Sequence, residues 1–535
     1  MFAKFLALLP LVAPLAVVAA VSPSHEAARA NAFHIFNAIH SAMRQWGSSL
    51  NHNSMSVLRG TIPGGTLFSH GTTKGTSPPE GLEWLAFEIE HAETFAQDVY
   101  IPGRNQPPHA PPAPPSSQQK ALGGRLGDDK PYYIQGFLHT YQASRDLNVL
   151  YIDGSSAAKG NLGTVDLSDF VIRGLDPKDY PNWLVLGDPS RAVDLCRFAK
   201  EFGADGIVRM EMGFEVIFCD FGNGLELISA VRQPLLRERS INNFMSLYAW
   251  ARASAARYDN IGGRRIRLDF SRMASAWFYP LNFSNPDPER PDLPRLIGIS
   301  SEDRGAIQGH INRTAMDKPA PGVDWQESVV DMVVQRFSDK IATLIRDDCG
   351  AEEFISQVVV ETNFFIPAPV QRDDASALTD GDGLGSEAIE RCAAYHLRPA
   401  TFRRKEWTEE DDLIHTAVST VTRAICDAFF EVRNLIVMTN SLLAVHPRLA
   451  SKVSDEAVRR PVADGKAILK GLADKLQWTT WRKCKGCSVD EVCFVPMFPF
   501  GTTDDYFSPR CLGWAELATA EDGGFERDGY WWSNA

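Results

Sequence analysis

Downstream of Val21 the sequence lacks any apolar run long enough to cross a bilayer. Every such stretch meets a charge within about a dozen residues, short of the roughly 20 that a spanning helix needs. It also lacks the short signatures of the commonest enzyme classes. No Gly-x-Ser-x-Gly elbow, His-Glu-x-x-His zinc pair, Walker loop or Gly-x-Gly-x-x-Gly dinucleotide turn stands in the strand and helix context its chemistry needs. Positive charge is short as well, with 54 Lys and Arg against 67 Asp and Glu and a net charge of −13. An acidic surface repels nucleic acid and anionic lipid, which sets both aside as the main partner.

What is present begins with a leader. Lys4 precedes an apolar run from Phe5 to Val21 that is interrupted by Pro10 and Pro14, and the small residues Val18-Ala19-Ala20 come just before polar sequence starts at Ser22. One positive charge, a short apolar stretch and small residues at its end are the marks of a cleaved signal peptide, residues 1–20. The alternative is a membrane anchor, and two prolines in a run barely at spanning length weigh against it. The reading predicts a secreted, extracellular protein with no membrane span. Its nine cysteines, at 196, 219, 349, 392, 426, 484, 487, 493 and 511, then meet an oxidising compartment, where disulfides are the default and an odd count leaves at least one thiol over. Asn282-Phe-Ser and Asn312-Arg-Thr are sequons for N-glycosylation, both beside polar, turn-rich sequence.

About 515 residues remain after cleavage, enough for two or three units that each bury a core. From Ser24 to Trp46 apolar residues at Ala32, Phe36, Ile39, Met43 and Trp46 keep helical steps, and Gly47 ends the helix. His34 and His40 lie six apart on it, a poor spacing for two ligands on one face, so they read as ordinary histidines. Short strand-like pieces follow between Leu58 and Phe87, then a short helix from Glu88 to Ala96. Residues 101–131, with Pro107-Pro108 and Pro111-Pro112-Ala-Pro114-Pro115, cannot build a core and read as an exposed loop. Strands are predicted at 137–141 and 148–153, a helix at 190–202, and two strands at 214–220 and 225–231 around the turn Gly222-Asn-Gly224.

The pattern therefore predicts an α+β chain: a mixed α/β unit over 24–235, a mainly helical unit over 236–480 and a disulfide-rich tail over 481–535. The strand-like run Ile266 to Leu281 is the main exception within the helical unit. Its clearest helix starts at Thr408, whose hydroxyl can cap while Glu409 and Glu410 favour the positive end of the helix dipole. Asp380-Gly-Asp382-Gly-Leu384-Gly385 opens like a calcium loop, but Leu384 and Arg391 fill the fifth and twelfth positions, where ligands are needed, so it reads as a plain loop. Cys484-Lys-Gly-Cys487 with Cys493 and Cys511 offers four sulfurs to zinc, yet in an exported chain two disulfides are preferred. No metal is expected.

The remaining chemical clue is Thr66-Leu-Phe-Ser-His70-Gly71-Thr72, a strand ending on His and Gly, followed by Trp84-Leu-Ala-Phe87-Glu-Ile-Glu-His91-Ala92 and later by Gly213-Phe-Glu215-Val-Ile-Phe-Cys-Asp220. In this order and type the segment from Leu58 to Val231 resembles the diphtheria-toxin-type and poly-ADP-ribose-polymerase-like ADP-ribosyltransferases. The resemblance implies a catalytic pair, His70 and Glu215, with Gly71, Thr72, Trp84 and Phe87 around bound NAD. Where that family carries Tyr on the middle strand, this chain has Trp84 and Phe87. Chemically, a strand-end His can hold a ribose hydroxyl, a carboxylate can stabilise an oxocarbenium-like sugar, and an aromatic ring can stack on nicotinamide. The plain structural alternatives are a His-Gly turn for His70 and a solvent-facing strand residue for Glu215; Asp153 and Arg209 also read as structural.

A second resemblance rests on the run from Ala38 to Asn53 (Ala38-Ile-His-Ser-Ala-Met43-Arg-Gln-Trp46-Gly-Ser-Ser-Leu50-Asn-His-Asn) together with the Cys-rich tail. It is to predicted secreted fungal proteins of unknown function and implies export and architecture only. The leading expectation is thus a secreted ADP-ribosyltransferase-like enzyme using NAD, with an unknown protein or small-molecule acceptor. Its rivals are a non-catalytic secreted binding or effector protein and a secreted hydrolase whose catalytic residues carry no sequence mark.

Overall fold

The computed structural model describes residues 21–51, 54–96, 99–101, 132–159, 164–177, 188–233, 248–255, 265–285, 292–317, 322–367, 383–439, 455–498 and 500–519. Residues 1–20, read from sequence as a signal peptide, the Pro-rich segment 102–131 and Asp380 to Asp382 lie outside them. The N-terminal helix is three pieces, α1 (His25–Ala30), α2 (Ala32–Ser41) and α3 (Gln45–Leu50). Ser24 caps α1 by accepting from the Ala27 N–H. The single helix expected over 24–46 instead breaks after Ser41, with Met43 at φ 57. Gly47 does not end a helix but lies inside α3, where an added Cβ would fall 2.7 Å from Ser41 Oγ, so only glycine permits so close an approach of the two pieces.

A nine-stranded sheet, curved as a half-barrel, follows. Its strands are β1 (Ser56–Ile62), β2 (Leu67–Thr72), β3 (Glu83–Ala86), β6 (Phe137–Ala143), β7 (Leu147–Ile152), β8 (Gly206–Glu211), β9 (Gly213–Phe218), β10 (Leu225–Arg232) and β11 (Arg267–Ser275). The short strands β4 (Val99–Ile101) and β5 (Tyr132–Ile134) pair with each other apart from it. Sheet order is β10-β6-β2-β3-β9-β8-β7-β1-β11. Only β7 and β8 run parallel, which requires a crossover, made here through the helical turn at 167–172 and α5 (Asp188–Glu201). Helix α4 (Ile89–Glu93) lies on β2 and β3. The expected turn at Gly222-Asn-Gly224 is present, but it does not make a hairpin: β9 pairs with β3 and β8, while β10 crosses to pair with β6.

Beyond the sheet come α6 (Ser301–Met316), α7 (Asp331–Leu344), α8 (Ala351–Asn363), α9 (Gly383–Tyr395), α10 (Glu409–Met438) and α11 (Asp455–Leu476). The cap expected at Thr408 is a full capping box, with the Asp411 carboxylate returning to the Thr408 N–H. Helix α10 buries Leu413, Ala417 and Val421 and packs on α2, α8, α9 and α11. One apolar core runs through the N-terminal helices, the sheet and these helices; β11, which lies after residue 235, closes the sheet against β1. The architecture is α+β.

Four disulfides join Cys196 to Cys219, Cys392 to Cys426, Cys484 to Cys493 and Cys487 to Cys511, and Cys349 is a buried free thiol. The tail thus carries two disulfides around the hairpin β12 (Glu491–Phe494) and β13 (Arg510–Gly513). Gly383 to Tyr395 is helical, which removes the calcium-loop geometry there. Asn282 is exposed on a loop, but Asn312 lies inside α6 with Thr314 only 4% exposed, contrary to the turn-side setting expected for it. Among the described residues no helix is long and apolar enough to cross a membrane.

Candidate functional site

The sheet parts between β2 and β3. Their neighbours pair over four to seven residues, whereas β2 and β3 share a single register pair, Ser69 with Ala86. Side chains from both strands, from α4 and from the ends of β8 and β9 line the pocket that results, including His70, Trp84, His91, Glu211 and Glu215. It measures about 370 Å³ including its open mouth. Gly71 lets α4 close the pocket from one side, since an added Cβ would come within 2.0 Å of Ala92 O. The turn joining β8 to β9 is held from behind. Gln45 Nε2 donates to Glu211 O at 2.8 Å, the Gly213 N–H donates to Gln45 Oε1 at 2.7 Å, and Trp250 Nε1 donates to Met212 O at 2.8 Å.

His70 is 2% exposed, and its Nδ1 lies 2.8 Å from Trp84 O. A carbonyl only accepts, so Nδ1 carries the proton and Nε2 keeps its lone pair; that Nε2 has no partner among the described residues, and neither does Trp84 Nε1. Burial pushes the His70 pKa down to about 4, helped by His139 and Lys74 and partly offset by the Trp84 carbonyl. His70 is therefore a neutral hydrogen-bond acceptor at the pocket wall.

Glu215 Oε1 accepts from Arg209 Nε at 2.8 Å and from Nη2 at 2.6 Å. Burial raises the Glu215 carboxyl above the ordinary range against the pull of Arg209, with Glu211 and Asp188 adding to the rise. His91 Nε2 lies 3.0 Å from Glu211 Oε1, and its Nδ1 has no partner among the described residues. Burial works against the His91 imidazolium, but the bond to Glu211 and the charges of Glu211, Glu215 and Glu88 outweigh it, so its pKa is raised. Behind Arg209, Asp188 meets both Lys159 and Arg191 with all three side chains fully buried. Burial alone would raise Asp188; Lys159, Arg209 and Arg191 instead hold it well below the carboxylate range.

His91, Glu211 and Glu215 bring one imidazole nitrogen and two carboxylate oxygens within 4.8 Å of one another, a donor set that suits a divalent cation. Their charge is already met by the chain itself, Glu215 by Arg209 and Glu211 by His91. Cys484, Cys487 and Cys511 also cluster, but each is in a disulfide.

Residues 25–136 and 115–238 match the family model described as the YPL277C N-terminal domain. The chain is similar to yeast proteins of unknown function. It is 25% identical over 557 residues to "Uncharacterized protein YOR389W" of Saccharomyces cerevisiae, an alignment that covers 89% of this chain and 83% of the yeast protein. It is 34% identical over 218 residues to "Uncharacterized protein YPL277C" of the same yeast, covering 37% of this chain and 42% of that one. No solved structure matches. The residues lining the pocket all fall inside the segment matched by the family model.

Of the residues singled out from sequence, the pocket gathers His70, Gly71, Trp84 and Glu215. Thr72 is buried one residue further along β2 and accepts from the Lys74 N–H, and Phe87 packs on Phe68 with ring centroids 5.1 Å apart; neither lines the pocket. Glu215 does not face solvent but lies in the sheet, 4% exposed. Arg209 and Asp153 are structural: Arg209 holds Glu215, and Asp153 Oδ1 accepts from the Met55 and Ser56 N–H groups, its pKa pushed up to about 6 by burial. Sequence reasoning missed His91 and Glu211. A larger groove of about 650 Å³ runs past His34, Asp153, Trp277 and Arg482. Several of its polar groups are engaged within the protein, Asn51 with Ser41 and Tyr506 with Leu50 O, and His34 covers Trp277 at 4.3 Å. The pocket at the parted strands, with its unpaired buried nitrogens, is the better ligand site.

Proposed function

We propose that the pocket between β2 and β3 is the reaction centre of a secreted enzyme that breaks the glycosidic bond between nicotinamide and ribose in NAD. One observation carries the reading: His70 and Glu215, far apart in sequence, line the same pocket, and His70 Nε2 is a buried acceptor with no partner among the described residues. His70 Nε2 accepts a hydrogen bond from a ribose hydroxyl. The Trp84 ring stacks on nicotinamide, and Glu215, fixed by Arg209, faces the positive charge that develops on the sugar as nicotinamide leaves. Support for export comes from the leader-like N-terminus and the four disulfides.

The test is chromatographic detection of nicotinamide released from NAD. Wild type is expected to release it, and Glu215→Gln to lower kcat by about a hundredfold or more, the scale of losing one transition-state stabiliser. The amide still accepts from Arg209 but leaves that cation with Asp188, 3.7 Å away, as its only carboxylate among the described residues, a cost of about 1–3 kcal/mol, so each rate is corrected for the folded fraction measured by denaturant titration. Tight NAD binding without release would favour the binding-protein reading. Neither binding nor release would end the NAD assignment.

A further inference from the structure

We propose that Asn282 is a site of N-glycosylation and that Asn312, the other sequon, stays bare, so that the exported protein carries its sugar on the loop after β11. The inference rests on the export reading above and not on the NAD reading. Both triplets hold the residues the modification needs, and neither has proline in its middle position or directly after it. Sequence treats them alike; the fold separates them.

Asn282 follows the helical turn Ala276–Phe278 at the end of β11, and Phe283 anchors the loop. The Phe283 side chain is 9% exposed and its ring stands edge-on to Trp277 with centroids 4.7 Å apart, while Phe283 O accepts from the Arg295 N–H at 2.9 Å. With its central residue pinned, the triplet leaves Asn282 and Ser284 exposed on either side. Asn282 Oδ1 accepts from the Ser284 N–H at 3.0 Å, which folds the amide toward the serine. The amide and the residue two positions on are thus open to an enzyme together. In the step, Asn282 Nδ2 attacks the anomeric carbon of an oligosaccharide carried on a lipid diphosphate. The bond from that carbon to the diphosphate oxygen breaks and its electron pair leaves with the lipid diphosphate; a bond from the carbon to Nδ2 forms, and the amide gives up a proton to solvent.

Asn312 lies within α6, where residues two apart point about 200° from each other around the axis. Thr314 therefore faces the core, 4% exposed, with its hydroxyl 3.2 Å from both His310 O and Ile311 O of the same helix. Asn312 is half-buried, and its Oδ1 is buried with no partner among the described residues. α6 packs on β11, on β1 and on the helical turn at 167–172. A branched sugar joined to that carboxamide before folding would stand where the helix docks, and a close-packed contact has no room for it. Chains that fold and leave the cell are bare at Asn312.

The test expresses the full chain with its leader in a secreting yeast, recovers it from medium and cells, and removes N-linked sugar with an amidase in heavy-oxygen water. Peptide mass spectrometry then locates the labelled aspartates that the amidase leaves and reads the N-terminus. Label at position 282 and none at 312 is expected. Asn282→Gln is expected to lose the amidase-sensitive shift in gel mobility entirely, and Asn312→Gln to leave it unchanged. Label at 312 in the secreted protein, or none at 282 in a chain that has lost residues 1–20, would overturn the assignment and leave export intact. Retention in the cell with residues 1–20 still attached and no label would overturn both. The peptide map needs only the wild-type protein, so the outcome does not depend on either variant folding.

Discussion

In the helical region a buried charge is met within a cluster of two or three groups. His310 on α6 lies 3.0 Å from Glu410 at the start of α10, and Glu361 on α8 receives Arg336 and Lys340 from α7. Where the crossover helices meet the sheet the pairs run on. Asp169 holds Arg191, Arg191 meets Asp188, Asp188 meets Lys159 and lies 3.7 Å from Arg209, and Arg209 holds Glu215. An isolated pair between two helices fixes their relative position at modest cost. A continuous buried chain of charges costs far more desolvation than apolar packing of the same volume, and stability alone does not explain it. That chain ends at the pocket, where Arg209 holds Glu215 beside His91 and Glu211.

The contrast is broken or sharpened first by removing one charge from each region. Arg209→Met leaves Glu215 and Asp188 buried with one cation fewer and is expected to cost about 3–5 kcal/mol in denaturant unfolding. Arg336→Met, at a side chain 39% exposed whose partner Glu361 keeps Lys340, is expected to cost less than about 1 kcal/mol. Equal losses would mean that the two regions bury charge alike.

Acid provides the next and smaller effect. His70 has its pKa depressed from 6.5 to about 4, so the unfolded chain takes up its proton first. The stability held by neutral His70 is fully present above pH 6.5 and is lost as pH falls toward about 4, up to roughly 3 kcal/mol at about 1.4 kcal/mol per unit. Asp153 works in the opposite sense, since its pKa is raised to about 6 and its contribution is lost as pH rises through that value. Comparing wild type with His70→Gln cancels Asp153. The variant is expected to lose less stability than wild type between pH 7 and pH 4, and parallel curves would show that His70 is not held neutral by burial.

Much of the frame was legible in the sequence because the signals were local. Thr408 followed by acidic residues marks a helix start, and the short apolar piece ending on His70 and Gly71 marks β2. What stayed hidden depends on distant partners. Gly206 to Glu211 is buried along its whole length, Arg209 and Glu211 included, so the alternation of a half-buried strand is absent and its charges give no outward face. His91 sits on a helix of five residues between two glutamates and reads as surface; only the turn from β8 to β9, held by Gln45 from α3, brings Glu211 to it. The turn at Gly222 was visible, but which strand β10 pairs with is decided by the sheet as a whole.

The central claim is that the pocket between β2 and β3, rather than the larger groove beside Asp153, receives the nicotinamide end of NAD. Titrating NAD into the nitrogen-15 histidine-labelled protein and following the imidazole resonances by NMR tests it most directly, with His70→Gln and His91→Gln used to assign the signals. The account predicts that His70 Nε2 and His91 Nδ1 shift with a common saturation curve while His34, which lines the groove, does not move. A shift at His34 with His70 and His91 unmoved, or no shift at any histidine at millimolar NAD, would contradict it.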